Sequence, residues 1–233
     1  MNVPPDEPFV AVRVWDLPTR LFHWSLALLV TANVVTGKFD SVLGASTLEW
    51  HKRFGIAILA LLAFRLVWGI VGGTHARFAT FLRGPRAVAA YAKSLASRGY
   101  AVSVGHNPMG GWSVVAMVAA LGVQATTGLF LVQEDYGFTG PLSRFVSGAF
   151  SSRMGAIHEA NFWVIAALVA MHLAAIVAHG VLWRENLVSA MVSGVKRLPA
   201  RFSGADGRKG GWSGLIASLA VAAVVVSVLV KLG

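Results

Sequence analysis

The segment that decides the fold is residues 158–183, which read HEANFWVIAALVAMHLAAIVAHGVLW. A transmembrane helix needs about 20 predominantly apolar residues, and this segment meets that requirement almost without interruption. It nevertheless carries His158 at its start and His172 farther along. An ionisable residue inside a membrane span is costly, so two histidines in one span indicate a functional site.

Outside this segment, other stretches also have the length and apolar content of membrane spans: residues 21–37, 51–71, 111–132 and 212–230. The composition agrees, because 56% of the 233 residues are hydrophobic and only 13% are charged. A soluble domain carries about 25% charged residues, so disorder and an ordinary soluble enzyme are both disfavoured. We therefore predict an all-α integral membrane protein, with a four-helix transmembrane bundle and a fifth, C-terminal transmembrane helix.

The basic residues are distributed unevenly around the predicted spans. Thirteen lie in the N-terminal segment and in the loops after the second and fourth spans, against six in the remaining loops and the C-terminus. Cytoplasmic loops carry the excess of Lys and Arg. The pattern predicts a multi-pass membrane protein with a cytoplasmic N-terminus and a periplasmic C-terminus. In so apolar a chain, the net charge of +10 indicates cytoplasmic loops and contact with membrane lipid, and no nucleic-acid partner.

The depths of four histidines in the predicted spans form a pattern. His158 and His172 are fourteen residues apart, which places them on nearly one helix face and about 21 Å apart along the axis. Because successive spans alternate in direction, His51 opens the second span at the outer surface, and His23 lies near the inner start of the first. The histidines therefore form an outer pair, His51 with His158, and an inner pair, His23 with His172.

Two pairs of histidines at two depths are the arrangement that two b-type haems require. A haem iron takes axial ligands on opposite faces of a flat ring, and a helical bundle supplies them from facing helices. Two imidazoles leave the iron no open position, which favours electron transfer. Zinc or copper needs three or four clustered ligands, and the absence of cysteine excludes thiolate metal sites and thioether-attached haem. A haem-free transporter with a histidine proton relay, or a structural membrane anchor, remains the alternative.

Several short motifs are similar to those of one family. The chain carries VWDLPTR at residues 14–20, followed by His23 and Trp24. The second span, the middle loop and the exit from the fourth span carry further matches: His51, Gly55, Arg65, Trp68, Gly69, Ala76-Arg77-Phe78, Gly105-His106-Asn107-Pro108, Gly110-Gly111, Arg184-Glu185-Asn186, Met191, Gly194 and Lys196. Together they resemble the bacterial cytochrome b561 and nickel–iron hydrogenase b-type cytochrome family over about residues 13–198.

Members of that family are four-helix membrane cytochromes that hold two haems b and pass electrons between an outside partner and membrane quinone. The resemblance implies that His23 and His172 ligate one haem and that His51 and His158 ligate the other. This is the pairing already expected from depth.

The resemblance also implies a location in the bacterial inner membrane, a domain organisation and a function. Residues 1–198 would form the dihaem domain, and 199–233 a basic linker with the additional helix. The expected activity is electron transfer between a periplasmic redox partner and the quinone pool. The periplasmic partner would be a cytochrome c, or an oxidoreductase or hydrogenase subunit. Whether the chain is an electron-transfer subunit or itself a quinone-linked oxidoreductase stays open.

Four polar residues are candidates for holding the inner haem or a quinone. Arg65 lies mid-span, where a haem propionate would supply the anion that a buried arginine needs, although snorkelling to the surface is an alternative. Arg20, one turn before the first histidine, is a candidate for the same haem. His106 and Asn107 precede the third span on its inner side, and they are candidates to bond a propionate or a quinone carbonyl unless they simply form a turn.

Two further histidines give weaker signals. His179 is seven residues after His172 and only about 20° off its helix face, so it is an alternative ligand or a proton donor unless it faces cytosolic solvent. His75 falls in a loop and is expected to be solvated.

Overall fold

The computed structural model describes residues 7–39, 41–97 and 102–233, and it is mainly helical. Long helices occupy the positions of the predicted spans: α1 (Leu17–Lys38), α2 (Thr47–Val71), α5 (Pro108–Gly128), α6 (Gly148–Trp183) and α8 (Trp212–Leu232). Short helices lie between them: α3 (Phe78–Phe81), α4 (Pro85–Ala96) and α7 (Leu187–Ser193). The short strands are β1 (Phe9–Arg13), β2 (Val132–Gln133), β3 (Phe138–Thr139) and β4 (Val195–Pro199).

Within the described residues, four helical segments are long and apolar enough to cross a membrane: Gly44–Val71, Pro108–Gly128, Gly148–Trp183 and Trp212–Leu232. The C-terminal segment has the highest mean hydropathy, 2.6. Helix α1 is 22 residues long but is not among the four, because polar residues such as Arg20, Thr31 and Asn33 interrupt its apolar sequence. A crossing by α1, and with it a total of five spans, therefore stays a prediction.

The chain divides into two compact units, each assembled from separate segments. The first unit comprises Met1–Leu21, Val67–Ala116 and Leu168–Leu215, and the second comprises Phe22–Leu66, Met117–Ala167 and Ile216–Gly233. Each long helix therefore contributes residues to both units.

The first unit contains a small sheet that the sequence did not predict. Strand β1 pairs with β4 in antiparallel register, from Phe9 opposite Pro199 to Arg13 opposite Val195. The alternation of a strand turns Val12 inward, where it packs with Leu198, which is 1% exposed. The boundary predicted after residue 198 thus falls inside a strand.

The second unit is organised around a cluster of buried apolar side chains. Ile56 of α2, Leu129 just after α5 and Leu229 of α8 pack together. The C-terminal helix thus shares a hydrophobic core with α2 and with the segment that follows α5. After α5, the strands β2 and β3 pair as a short hairpin, with Val132 opposite Thr139.

Candidate functional site

A cavity of about 420 Å³ lies within the second unit. Helices α1, α2, α5 and α6 contribute its walls, together with the segment that follows α5. Both outer histidines, His51 and His158, line this cavity. The charged residues along its walls are Lys38, Lys52 and Glu159. The structure thus brings together the pair that the sequence assigned to the outer level.

Each outer histidine is held through its Nδ1 atom by a neighbouring helix. His51 Nδ1 lies 3.0 Å from the carbonyl oxygen of Asn33 on α1. His158 Nδ1 lies 3.0 Å from the carbonyl oxygen of Gln124 on α5. A carbonyl oxygen only accepts hydrogen bonds, so each Nδ1 carries the proton and donates it. Each Nε2 atom then keeps its lone pair, which is the form of imidazole that binds a metal.

Threonine hydroxyls next to these carbonyls add to the same arrangement. Thr36 Oγ1 lies 3.4 Å from His51 Nδ1, and Thr127 Oγ1 lies 3.1 Å from His158 Nδ1. The two sites are therefore built alike, each from a backbone carbonyl and a threonine on an adjacent helix. Such outer contacts fix the orientation of a ligating imidazole as well as its tautomer.

The distance between the two imidazole rings is that expected when one metal ion lies between them. Their ring centroids are 6.4 Å apart, and the ring planes are inclined at 67°. An imidazole nitrogen binds a transition metal such as zinc at about 2.0 Å, so a linear bis-imidazole arrangement separates the ring centroids by roughly 6 Å. The observed spacing fits two axial ligands on one iron.

Glycines make room for both rings. A Cβ atom added at Gly37 would lie 2.7 Å from His51 Cε1, closer than such atoms approach. One added at Gly128 would lie 3.3 Å from His158 Cε1, in tight contact. The bare backbone therefore lets each imidazole lie directly against a facing helix. With the tautomers and the ring spacing, this shows that the residues present fit a bis-histidine haem.

Both lysine ammonium groups of the cavity already contact neighbouring side chains. Lys38 Nζ lies 4.1 Å from the centroid of the Phe162 ring, within the range of a cation–π contact. Lys52 Nζ pairs with Glu49 at 2.8 Å. Two ammonium groups and the Glu159 carboxylate therefore line a cavity whose remaining walls are mostly apolar, as a site for an amphipathic ligand requires.

The residues assigned to the inner level are divided between the two units. His23 and Arg65 belong to the second unit, and His172 belongs to the first. The His23 ring packs edge-on against Trp24, with centroids 5.0 Å apart. Arg65 is buried, and its guanidinium lies 6.0 Å from the centroid of Phe22. The pairing of His23 with His172 stays a prediction.

The remaining candidates, Arg20, His106 and Asn107, lie in the first unit. The Arg20 guanidinium donates a hydrogen bond to the Val192 carbonyl at the end of α7. The Asn107 side chain accepts a hydrogen bond of 2.7 Å from the Gly110 amide and so caps the start of α5. The sequence left open whether Asn107 simply forms a turn, and the structure shows that turn. Roles of these residues toward a haem or quinone stay predictions.

The His106 ring packs between two aromatic side chains of the same unit. Its centroid lies 4.6 Å from that of Trp15 and 4.4 Å from that of Phe81. The imidazole is therefore held in a fixed position by ring contacts rather than left in a mobile loop.

His179 is buried, so the structure excludes one of the alternatives left open for it, exposure to cytosolic solvent. The side chain is buried, with Nδ1 2.8 Å from the Ala175 carbonyl and Nε2 3.4 Å from the Tyr91 hydroxyl. Burial, with the nearby Glu185 carboxylate, raises the pKa of Tyr91 to about 12. The Glu185 carboxylate in turn forms a buried ion pair with Lys196. Sequence analysis did not predict this cluster of Tyr91, His179, Glu185 and Lys196, because its members come from separate segments of the chain.

The glycine contacts generate a first test. Substitution Gly37→Ala should displace the His51 ring, and overpacking of this kind costs about 1–3 kcal/mol, which weakens haem binding by tenfold or more. Gly122→Ala is the matched control, because an added Cβ there meets no atom within 4 Å. A pyridine haemochrome assay of both purified variants measures haem per chain. Equal haem content in the two variants would contradict the assignment of this cavity.

Comparison with known proteins places the chain among b-type cytochromes. The family model for prokaryotic cytochrome b561 matches residues 14–194. A probable Ni/Fe-hydrogenase B-type cytochrome subunit of Rhodobacter capsulatus is 28% identical over 79% of this chain and 80% of its own length. A protein of the same description from Rhizobium leguminosarum bv. viciae is 26% identical, over 79% and 88%.

A probable Ni/Fe-hydrogenase 1 B-type cytochrome subunit of Escherichia coli (strain K12) is 23% identical over 80% of this chain and 91% of its own length. These relatives each cover about four fifths of the chain. The chain therefore belongs to the prokaryotic cytochrome b561 family, as a membrane-integral b-type cytochrome that carries haem and transfers electrons.

Proposed function

We propose that this protein is a dihaem cytochrome that transfers electrons between a periplasmic redox partner and the membrane quinone pool. The observation that carries the proposal is the facing pair His51 and His158, with their ring spacing of 6.4 Å and their protonated Nδ1 atoms. Haem b, when bound, supplies one-electron redox chemistry at its iron. His51 and His158 would supply the two ligands to the iron, and the cavity would supply an apolar surrounding.

In this proposal the outer haem is held by His51 and His158. The donation of each Nδ1–H to a helix carbonyl keeps the imidazoles neutral and correctly oriented, and it raises their basicity toward the iron. Lys38 and Lys52 line the same cavity and would pair with the propionates. Among the described residues, no group of three or more His, Asp or Glu side chains could hold a separate metal ion, which favours haem over a zinc or copper site.

The inner haem is proposed to be held by His23 and His172. Support comes from the helical spacing of fourteen residues between His158 and His172, both of which lie on the continuous helix α6. The buried guanidinium of Arg65 provides a positive charge for a propionate. Arg20 is a further candidate for the same role.

The redox partner proposed for the periplasmic side is a hydrogenase, since the relatives carry that name. Glu49 and Arg53 form an exposed ion pair one turn beyond the start of α2, close in sequence to His51, and they are suited to docking such a partner. A cytochrome c or another periplasmic oxidoreductase would dock through the same kind of contacts. Electrons would then pass from the outer haem to the inner haem and to quinone.

Quinone reduction is proposed to take place on the inner side. The reaction takes up protons as well as electrons, and histidines near the cytoplasmic surface exchange protons at neutral pH. His106, fixed between two aromatic rings, is the favoured contact for a quinone carbonyl, with Asn107 next to it.

The haem count and its division between two pairs test the proposed function. Wild-type protein should contain about two haems per chain, extractable with acidified solvent because no cysteine attaches them. His51→Ala or His158→Ala should remove the outer haem only, and His23→Ala or His172→Ala the inner haem only. Haemochrome assays combined with redox titration would distinguish loss of the outer haem from loss of the inner haem. Wild-type protein without haem would refute the proposal, and retention of both haems in His172→Ala with loss of one in His179→Ala would identify a different inner ligand.

The orientation is proposed as a cytoplasmic N-terminus and a periplasmic C-terminus in the bacterial inner membrane. The five crossings predicted from the sequence and the distribution of basic residues support it. An alkaline phosphatase fused to the C-terminus should be active, and a green fluorescent protein at that position should stay dark. The reverse result would mean an even number of crossings.

The position of the quinone site has its own test. His106→Ala should slow reoxidation of the reduced haems by a soluble quinone analogue about tenfold or more, because a proton donor near the substrate is lost. Reduction of the outer haem should be nearly unchanged in stopped-flow spectra. Glu159→Gln, a change in the outer cavity, is the matched control. Slower reoxidation in Glu159→Gln than in His106→Ala would place the quinone site on the periplasmic side.

A further inference from the structure

A second cavity, of about 210 Å³, lies entirely within the first unit. Its walls come from the start of α1, the loop after α2, the α7–β4 junction and the loop before α8. Helices α2 and α8, two of the helices long and apolar enough to cross a membrane, therefore end or begin next to this cavity, where the surface of the bilayer is expected. Of the residues that line it, only Arg20 is also a candidate in the proposed haem site.

Unpartnered polar atoms converge on this cavity. Asp16, Arg20 and His75 all line it. Within the described part of the chain, Asp16 Oδ2, Arg20 Nε and His75 Nε2 are buried and have no hydrogen-bond partner. A buried polar atom without a partner costs free energy, so three such atoms around one cavity indicate a polar ligand.

His75 also corrects the sequence expectation of a solvated side chain, because it is half-buried. Burial lowers its pKa, although a hydrogen bond to the Ala205 backbone and the nearby Asp16 carboxylate act in the opposite direction. The ring is therefore neutral at pH 7, and together with Asp16 it presents acceptor atoms rather than a further cation.

The shape of the cavity depends on glycine backbone. A Cβ atom at Gly73 would lie 2.4 Å from Asp16 Oδ2, and one at Gly207 would lie 2.6 Å from His75 Cδ2. Gly194, with φ +83°, adopts a conformation that other residues rarely tolerate, and a Cβ there would lie 3.1 Å from an Arg20 terminal nitrogen. All three glycines line the cavity, and a side chain at any of them would fill or block it.

The charges of the cavity specify the ligand further. Arg13, Arg20, Arg208 and Lys209 line it, and Asp16 is the one carboxylate among the described residues of its wall. Arg208 and Lys209 are exposed at its rim. Several cations favour an anionic group such as phosphate, whereas the free oxygen of Asp16 favours a hydrogen-bond donor on the same ligand. A phosphate linked to an ammonium group carries both.

We propose that this cavity binds the headgroup of a membrane phospholipid, with phosphatidylethanolamine as the preferred lipid. Its phosphate would lie against Arg20, Arg208 and Lys209, and its ammonium against Asp16. Basic pockets between transmembrane helices at the membrane surface are suited to lipid headgroups. Trp15 also lines the cavity, and an aromatic ring at this depth is typical of the membrane interface.

The test uses the full-length, haem-loaded protein after delipidation, with native mass spectrometry to count bound lipid. Phosphatidylethanolamine should bind one molecule per chain with an affinity about tenfold above that of phosphatidylcholine, whose methylated ammonium cannot donate a hydrogen bond. The double variant Arg208→Gln/Lys209→Gln should weaken binding about tenfold. The matched control is Arg83→Gln/Arg86→Gln, which removes equal charge from exposed residues outside the cavity.

Three outcomes would overturn the proposal. They are equal binding of the two lipids, an equal loss in both double variants, and the absence of bound lipid from the wild-type protein. Displacement of the lipid by millimolar inorganic phosphate would assign the site to free phosphate instead, and would also overturn it. The Soret spectrum of each variant should match that of the wild type, so that a failure at this site is distinguishable from a failure to bind haem.

Discussion

The candidate outer haem site depends on the hydrogen bonds that two imidazoles donate to helix carbonyls. In a membrane interior a backbone carbonyl is already used by its own helix, and its second lone pair is free to accept from a side chain. Asn33 and Gln124 provide such carbonyls to His51 and His158. This interaction satisfies a buried polar atom, selects the tautomer and directs Nε2 away from the helix, all without an additional charged group.

Close packing of helices makes those hydrogen bonds possible. An imidazole reaches a carbonyl on the next helix only where the facing position has no side chain, which is the role of Gly37 and Gly128. The charged side chains of the cavity are also stabilised by their neighbours. Lys38 lies over an aromatic ring and Lys52 pairs with a glutamate, so the cations that line the cavity are stabilised before any anion binds.

In the first unit, polar contacts between distant segments add to the apolar packing of Val12 and Leu198. Strands β1 and β4 join the N-terminal segment to the chain before α8. Glu185 and Lys196 form a buried ion pair, and His179 bonds to Tyr91. Buried ion pairs gain little net stability over apolar packing, but removing one partner is strongly destabilising. Such contacts therefore specify how the connecting segments are arranged at the ends of the long helices.

The sequence by itself predicted the long helices and the depths of the four histidines, because apolar runs and helical periodicity are local properties. Its short motifs indicated the family. The pairing of His51 with His158 followed from depth alone, and the structure brings these two residues together. Only the tertiary structure decided which carbonyls orient them, since Asn33 and Gln124 carry no sequence signal. The β1–β4 sheet, the burial of His179 and the cavity around Asp16 were equally unreadable, because each depends on side chains from segments far apart in the chain.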